Sequence, residues 1–281
     1  MTPQSNLMAK TTKNILLAAT WNNPFYYKLS RQFDQEFIKS SWFKLLKRYC
    51  AHARSILDIG CGEGTNLSHL CPPGASAAGI DISPLAIRLA RKSYPHLKFQ
   101  VADAESIPFP NASFDFCYNI GTLEHLTRPE RVIEEMIRVT KKGGLIAFWT
   151  INFGSPFVKP HTATYSPAKK IAKQIIASFY YLFHKPFMLN WDKINPRITS
   201  GKEFSPDDDM VTEPNLQTLV SFLKKRNLKI IYASSGWDVQ QKESPKTLIR
   251  AICKIANWTR LSALPPFKYW GNNLFLIAQV T

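Results

Sequence analysis

Asp58-Ile-Gly-Cys-Gly-Glu-Gly64 directly follows a short apolar run and opens a helical pattern near residues 66–70. Glycines at every second position let the backbone pass close beneath a ligand, because a side chain there would occupy the volume that the ligand needs. A dinucleotide-binding turn has the spacing G-x-G-x-x-G, whereas here the third glycine comes one residue early and Thr65 takes its place. The stretch therefore predicts a ligand-binding loop and favours a ligand without a pyrophosphate.

Around this loop, short apolar runs alternate with amphipathic stretches. The predicted strands are residues 55–60, 77–82, 97–103, 114–120 and 145–151. The predicted helices lie near residues 66–70, 85–94 and 129–140, and Gly143-Gly144 is interpreted as the stop of the last one. Such an alternation is typical of βαβ units and predicts a doubly wound α/β fold with a mostly parallel sheet.

Four segments are predicted along the chain: an N-terminal tail with a helical cap, a ligand-binding core, an insertion on the substrate side, and a return to the core domain. Their bounds are residues 1–50, 51–151, 152–213 and 214–281. Aromatic residues near helical spacing between Trp21 and Tyr49 predict the cap, and proline, aromatic and charged residues mark the insertion. The last segment contains a predicted helix over 216–226 and predicted strands over 229–235 and 274–280.

The composition excludes several classes of protein. The 281 residues are 45% hydrophobic and 20% charged, which is typical of a folded globular chain. Five scattered cysteines without a C-x-x-C pair predict neither a disulfide framework nor a zinc site, so we expect a reducing, cytoplasmic compartment and no bound metal. The sequence has no run of about 18 apolar residues, so a membrane-spanning helix is not predicted. The formal net charge of +16 favours anionic partners without indicating a fold.

Four further motifs follow the glycine loop in order. They are Gly79-Ile-Asp-Ile-Ser83, Val101-Ala-Asp-Ala-Glu-Ser-Ile-Pro-Phe109, Asn119-Ile-Gly-Thr-Leu-Glu-His-Leu126 and Glu134-Glu-Met-Ile-Arg-Val-Thr-Lys-Lys-Gly-Gly-Leu-Ile-Ala-Phe148. Over about residues 50–151, the chain resembles the class I, Rossmann-like methyltransferases that use S-adenosylmethionine (SAM). The resemblance implies a seven-stranded sheet of order 3-2-1-4-5-7-6 whose last strand is antiparallel. The chain departs from the family at Lys142, where a proline often precedes the double glycine, and this affects the rigidity of the turn more than the chemistry.

The same resemblance implies a SAM site in which the glycine loop cradles the methionine end, Asp81 accepts the ribose hydroxyls, and Asp103 faces the adenine amino group. The implied cofactor-binding residues are Asp58, Gly60, Cys61, Gly62, Gly64, Asp81, Ile82, Asp103, Ala104 and Asn119. Independently of the family, a carboxylate that accepts two hydroxyls makes charge-assisted hydrogen bonds worth about 1.5–3 kcal/mol each. A buried Asp58 requires partners, for which loop N–H groups or a ligand ammonium are the candidates.

His125 is the first candidate for a catalytic residue. Methyl transfer from a sulfonium is an in-line displacement, so the protein mainly aligns and desolvates the reactants. His125 would act as the general base for a hydroxyl or amine nucleophile, and the alternative is a structural Glu-His pair that opens a helical turn. Tyr26 and Tyr27 either close over the cofactor or pack in the core, and packing is favoured.

Three other segments have competing interpretations. Residues 207–209 are consecutive aspartates, for which a solvated loop or a contact to a polar substrate is favoured over a metal site, because adjacent acids point in different directions. Residues 167–183 and 248–261 have the pattern of basic amphipathic helices. Burial of their apolar faces against the sheet or over the active site is favoured, and peripheral contact with an anionic membrane or a lipid-linked acceptor is the alternative.

The predicted function is SAM-dependent methyl transfer to an oxygen or nitrogen of a small, lipid- or sugar-linked acceptor, because a cap and an insertion enclose a pocket more readily than an open groove. The net charge favours an RNA methyltransferase as the first alternative. Neither an RNA-binding module nor an N-P-P-Y motif after the fourth strand supports it. A nonenzymatic SAM-binding protein and a nicotinamide-dependent dehydrogenase are the remaining alternatives.

Overall fold

The computed structural model describes residues 20–155, 158, 172, 175–176, 191–194, 209–236 and 269–281. Within them the helices are α1 (Pro24–Phe37), α2 (Ser41–Cys50), α3 (Thr65–Leu70), α4 (Pro84–Ser93), the 3-10 helix η1 (Leu123–His125), α5 (Pro129–Val139) and α6 (Leu216–Lys225). The strands are β1 (Ser55–Ile59), β2 (Ser76–Asp81), β3 (Lys98–Val101), β4 (Phe114–Ile120), β5 (Thr140–Ile151), β6 (Asp192–Lys193), β7 (Thr212–Glu213), β8 (Lys229–Gly236) and β9 (Asn273–Gln279). The predicted helix over 248–261 lies outside the described residues, as do Asp207, Asp208 and most of 167–183.

Seven of these strands form one sheet of order β3-β2-β1-β4-β5-β9-β8. β1 pairs in parallel with β2 and β4, and β2 pairs in parallel with β3. β9 runs antiparallel to both β5 and β8. The predicted order 3-2-1-4-5-7-6 with an antiparallel last strand is therefore confirmed, since β8 and β9 are the sixth and seventh strands of the sheet. β6 and β7 form a separate antiparallel pair.

The chain divides into two compact units. Of the described residues, the first contains 20–119, 128–141 and 209–210, and the second contains 120–127, 142–155, 158, 172, 175–176, 191–194, 211–236 and 269–281. Fully buried aliphatic and aromatic side chains form the core of each unit. In the first unit they include Ile56, Leu57, Ile59, Leu67, Ile80, Phe116, Ile133 and Met136, and in the second Ile146, Phe148, Leu219, Leu223, Leu274, Phe275 and Ile277.

The aromatic-rich segment at the N-terminus forms two helices, α1 and α2. Asn23 caps α1 by accepting a hydrogen bond from the backbone of Phe25, and Pro24 fills the first turn, where its missing N–H costs nothing. Tyr27 is buried against Leu85 and Ala86. Its ring therefore packs in the core, which was the favoured interpretation.

The Gly143-Gly144 pair does not end α5, contrary to the expectation from the sequence. α5 ends at Val139, and β5 begins at the next residue. The Arg138 and Val139 carbonyls accept hydrogen bonds from the backbone amides of Ala112 and Ser113, at 2.9 and 2.8 Å. Loop amides thus satisfy the last carbonyls of the helix, and no glycine cap is required.

Candidate cofactor site

The strand register of the first unit brings the predicted cofactor residues to one edge of the sheet. Asp58 of β1 lies opposite both Gly79 of β2 and Tyr118 of β4, and Asp81 at the end of β2 lies opposite Val101 at the end of β3. Because these strands are parallel, their carboxyl ends meet, and ligands of open α/β sheets bind at that edge. Asn119 follows Tyr118 directly, so it belongs to the same edge.

The glycine loop uses most of its own backbone donors. Gly60 and Cys61 both donate their amides to the Ile80 carbonyl, at 2.8 and 2.9 Å. The Gly62 amide donates to Asp81 Oδ2 at 3.0 Å, and the Gly64 amide donates to the Cys61 carbonyl at 2.9 Å. A pyrophosphate site requires free amides that point at the ligand. The loop is therefore poorly suited to a dinucleotide, in agreement with its glycine spacing.

Two glycines of the loop are required for different reasons. Gly62 has φ +51°, and a Cβ built there meets nothing within 4 Å, so the space above it is open to a ligand. Gly64 has φ +81°, and a Cβ built there lies 2.6 Å from Cζ of Phe99. The left-handed φ and the close approach of the Phe99 ring both favour glycine at position 64, whether or not a ligand binds there. Its place in the cofactor site stays a prediction.

The Asp81 carboxylate is fixed by two backbone donors. Oδ1 accepts a hydrogen bond from the Ser83 amide at 2.8 Å, and Oδ2 accepts the one from Gly62. Burial raises the pKa of Asp81, and these two hydrogen bonds act in the opposite direction. Beside it, the apolar side chains of Ile82 and Val101 are 46% and 45% exposed. The end of β2 thus combines an oriented carboxylate with uncovered apolar surface, which suits a ribose and an aromatic base.

Asp58 is buried, and its partner was not predicted. Asp58 Oδ2 accepts a hydrogen bond from the hydroxyl of Tyr118 at 2.8 Å, not from loop amides. Burial holds the pKa of Asp58 well above its usual value, the Tyr118 bond lowers it, and the nearby Asp34 and Asp81 carboxyls raise it further. A cation that reached this carboxyl would relieve the unfavourable charge, so the group is suited to a ligand ammonium.

Asn119 has an unused acceptor in the part of the chain that the structure describes. The residue is 1% exposed, and its Nδ2 donates to the Ile59 carbonyl at 2.8 Å. Its Oδ1 is buried and has no hydrogen-bond partner there. An unpaired buried acceptor is costly, so this atom is available to a donor on a ligand.

Asp103 and Ala104 lie in the loop after β3. Asp103 is exposed, and its Oδ1 accepts a hydrogen bond from the Glu105 amide at 2.8 Å, which shapes the turn. Glu105 forms an ion pair with Arg128. Asp103 is therefore held in place at the surface, with one carboxylate oxygen used by its own loop.

Helix α1 contacts the glycine loop and the following helix α3 through one side-chain pair each, and the sequence did not reveal either pair. Arg31 donates two hydrogen bonds to the Glu63 carboxylate, at 2.9 and 2.6 Å. One turn later, Asp34 Oδ1 accepts a hydrogen bond from Asn66 Nδ2 at 2.9 Å. Arg31 and Asp34 are three residues apart, and so are Glu63 and Asn66. This spacing matches the arrangement, but it is so common in sequences that it does not identify the contact.

His125 lies in the second unit, at the end of η1, and its ring is partly buried. The backbone around it is anchored by the first residue of β7 and the residue before it. The Val211 amide donates to the Glu124 carbonyl at 3.0 Å, and the Thr212 hydroxyl donates to the Leu126 carbonyl at 2.7 Å. The Glu124 side chain is buried and accepts a hydrogen bond from the Thr150 hydroxyl. His125 is therefore held on a fixed turn.

Comparison with known proteins identifies a domain family for part of the chain. Residues 57–148 match the family model of a methyltransferase domain. The phthiotriol/phenolphthiotriol dimycocerosates methyltransferase of Mycobacterium leprae (strain TN) is 36% identical over 99 residues, which are 34% of this chain and 37% of that protein. The chain spans between 34% and 52% of the length of the curated relatives that it matches.

Two solved structures have the same fold. The geranyl diphosphate C-methyltransferase of Streptomyces coelicolor A3(2) superposes with a TM-score of 0.52 at 12% identity, over 88% of this chain and 82% of that one. The [4+2]-cyclase SpnF superposes with a TM-score of 0.51 at 16% identity, over 84% and 78%.

The sheet order and the carboxyl-edge site define a Rossmann-like α/β domain of the kind that binds a nucleoside cofactor. The match of residues 57–148 to the methyltransferase domain family, together with the sheet order, agrees with a class I, SAM-dependent methyltransferase. The recognition of this class from the sequence is confirmed.

Proposed function

We propose that the protein is a SAM-dependent methyltransferase that acts on an oxygen or nitrogen of a small, lipid- or sugar-linked acceptor. The observation that carries the proposal is Asp81, a carboxylate held by the Gly62 and Ser83 amides at the carboxyl end of β2. A carboxylate fixed in this way accepts two vicinal hydroxyls without reorganising, which is the requirement of a ribose.

The residues present fit the cofactor. The space above Gly62 is open, and Asn119 Oδ1 is a buried acceptor with no partner in the described residues. We infer that Asp58 and Asn119 hold the ammonium end, that Asp81 holds the ribose, and that Ile82 and Ala104 contact the base. Asp103 would hold the adenine amino group with the carboxylate oxygen that its turn leaves over. SAM, when bound, supplies a methyl group on a sulfonium.

His125 is proposed as the general base that accepts the acceptor's proton, and its anchored turn supports such a positioning role. Replacement His125→Asn is expected to lower kcat about 10²- to 10⁴-fold without weakening SAM binding, the usual contribution of a positioned base. Single-turnover rates and calorimetric SAM affinity measure the two effects separately. An unchanged rate would leave His125 with a structural role.

The proposed acceptor class is supported by a relative and by the charge of the chain. The Mycobacterium leprae relative has a lipid acceptor in its name and shares 36% identity over 99 residues, which supports a lipid-linked acceptor here. We propose residues 1–50 as a cap and 152–213 as the substrate-side insertion. A cytoplasmic enzyme with peripheral contact to an anionic membrane fits the +16 charge. No helix in the described ranges is both long and apolar enough to cross a bilayer.

Two measurements test the proposal. Isothermal titration calorimetry with S-adenosylhomocysteine checks cofactor binding, and binding of NADH instead would favour the dehydrogenase alternative. Incubation of lipid, glycan and metabolite extracts with SAM that carries a deuterated methyl group, followed by mass spectrometry, identifies the acceptor. Loss of product after RNase treatment would favour an RNA substrate. The cyclase among the structural neighbours shows why turnover must be measured, because the same fold supports other chemistry.

A further inference from the structure

Trp21 connects three parts of the first unit through hydrogen bonds. Its indole Nε1 donates to Asp209 Oδ2 at 2.6 Å. Its carbonyl accepts hydrogen bonds from the Ser83 hydroxyl at 2.6 Å and from the Tyr27 hydroxyl at 2.7 Å. A single residue before α1 is thus bonded to α1, to the turn after β2, and to the segment that precedes β7.

The turn after β2 is the one that fixes Asp81. The Ser83 amide donates to Asp81 Oδ1, and the Ser83 hydroxyl donates to the Trp21 carbonyl. Asn22 Oδ1 accepts from the same hydroxyl at 3.2 Å and from the Leu85 amide at 3.3 Å. Trp21 and Asn22 therefore hold the side chain of Ser83 and the backbone that follows it. The Ser83 amide is in turn hydrogen-bonded to Asp81, the proposed ribose-binding carboxylate.

Asp209 is buried at 1% exposure, whereas the run of three aspartates predicted a solvated loop or a contact to a polar substrate. A buried carboxylate is costly without donors, and its hydrogen bond to an indole N–H is charge-assisted. Such a bond tolerates little displacement of either partner. Asp209 therefore determines where Trp21 lies, and Trp21 determines where Ser83 lies.

We propose that Trp21 and Asp209 are positioning residues for the cofactor: their hydrogen bond fixes the Trp21 carbonyl, which holds Ser83 and through it the Asp81 carboxylate in the orientation that a ribose requires. The inference rests on the proposed function, since it assigns a role toward the same SAM site. It adds two residues far apart in the sequence that the glycine-loop motifs do not include.

A double-mutant cycle tests the proposal. Trp21→Phe removes the indole N–H and keeps a ring, and Asp209→Ala removes the acceptor. Each is expected to lower the affinity for S-adenosylhomocysteine about three- to tenfold, the effect of one hydrogen bond. In an Asp81→Ala background, neither substitution is expected to lower the affinity further by more than about twofold, because both act through Asp81. Calorimetry measures the four affinities of each cycle.

Trp42→Phe, the same substitution on α2, is the matched control and is expected to leave the affinity unchanged. Melting curves by circular dichroism show whether each variant is folded, and if Trp21→Phe fails to fold, Asp209→Ala decides. Two outcomes would overturn the inference while leaving the proposed function intact. In the first, the single variants lose no affinity. In the second, their losses of affinity add fully to the loss caused by Asp81→Ala. No binding of S-adenosylhomocysteine by the unmodified protein would overturn both.

Discussion

At the scale of single residues, Asp81 has two tasks, because its carboxylate holds the glycine loop and is the proposed ribose contact. Asp81→Ala is expected to weaken SAM binding at least about tenfold, since two charge-assisted hydrogen bonds are lost. It also removes the acceptor of the Gly62 and Ser83 amides, so we expect the free energy of unfolding to fall by about 1–3 kcal/mol. Calorimetry and urea unfolding measure the two effects. Unchanged affinity would contradict the ribose assignment.

Asp34 should make the stability of the protein depend on pH. Burial raises its pKa to about 7, the nearby Glu63 carboxyl raises it too, and the Asn66 hydrogen bond lowers it. Since the folded state keeps the proton that the unfolded state releases near its ordinary pKa, the stabilisation present below pH 4 is lost as the pH rises through about 7. Glu63, Asp58 and Cys61 are titratable groups near it in the described part of the chain.

Asp34→Asn removes this titration and is expected to flatten the decline. Above pH 7 the variant should be more stable than the unmodified protein, by an amount on the order of 1–3 kcal/mol. Urea unfolding midpoints between pH 4 and 8 measure the difference. Parallel pH profiles for the two proteins would show that Asp34 does not keep its proton in the folded state.

The residues that end strands were predictable from the sequence, and their partners were not. Asp81 and Asn119 follow apolar runs, so their place at the carboxyl edge followed from the alternation of strands and helices. Tyr118, which bonds Asp58, is 60 residues away from it in the chain. Contacts of that separation depend on the sheet register, which one sequence does not determine.

At the scale of elements, the packing of the glycine loop against β3 predicts an unequal cost of two matched substitutions. Gly64 and Gly74 have φ +81° and +78°, so an alanine is strained equally at both. Only Gly64 is crowded, because its Cβ would overlap the Phe99 ring, whereas nothing lies within 4 Å at Gly74.

Gly64→Ala is therefore expected to lower the free energy of unfolding about 1–3 kcal/mol more than Gly74→Ala does. Urea unfolding of both variants provides the comparison, with unchanged m-values as the sign that the unfolded state is comparable. Equal losses would mean that the Phe99 ring moves aside without cost.

The end of α5 was predicted within one residue, but the signal assigned to it was wrong, and β5 begins at Thr140, five residues before the predicted strand. A double glycine after an amphipathic pattern is a typical helix stop, yet the helix ends at Val139 because the amides of Ala112 and Ser113 satisfy its last carbonyls. The amides that end the helix therefore belong to a loop elsewhere in the chain, and the local sequence pattern does not reveal them. The boundaries of α3, α4 and α6 were also predicted within one residue, since local periodicity and caps decide them.

At the scale of the whole molecule, a ligand that binds only the folded state stabilises it in proportion to the logarithm of its concentration. S-adenosylhomocysteine at a hundred times its Kd is expected to raise the free energy of unfolding by about 2.7 kcal/mol. Thermal unfolding with increasing ligand measures this, and NADH at the same concentrations is the control. A shift with NADH and none with S-adenosylhomocysteine would contradict the cofactor assignment.

The order of the seven-stranded sheet was predictable because successive motifs resemble those of a known family, and the resemblance implied this order. The same resemblance implied the antiparallel β9. The link between Trp21 and Asp209 was not predictable, because 188 positions separate them and the local pattern around each residue does not indicate the other. Motifs record what a class of proteins shares. Individual anchoring contacts are seen only in the folded chain.

The Ile80 carbonyl, which accepts the amides of both Gly60 and Cys61, has a consequence for how a ligand arrives. A loop that is already tied to its neighbouring strand has little conformational entropy left to lose on association. The association rate should then be set by diffusion and by the removal of water, because the loop proposed to bind the nucleoside is already ordered before the ligand arrives.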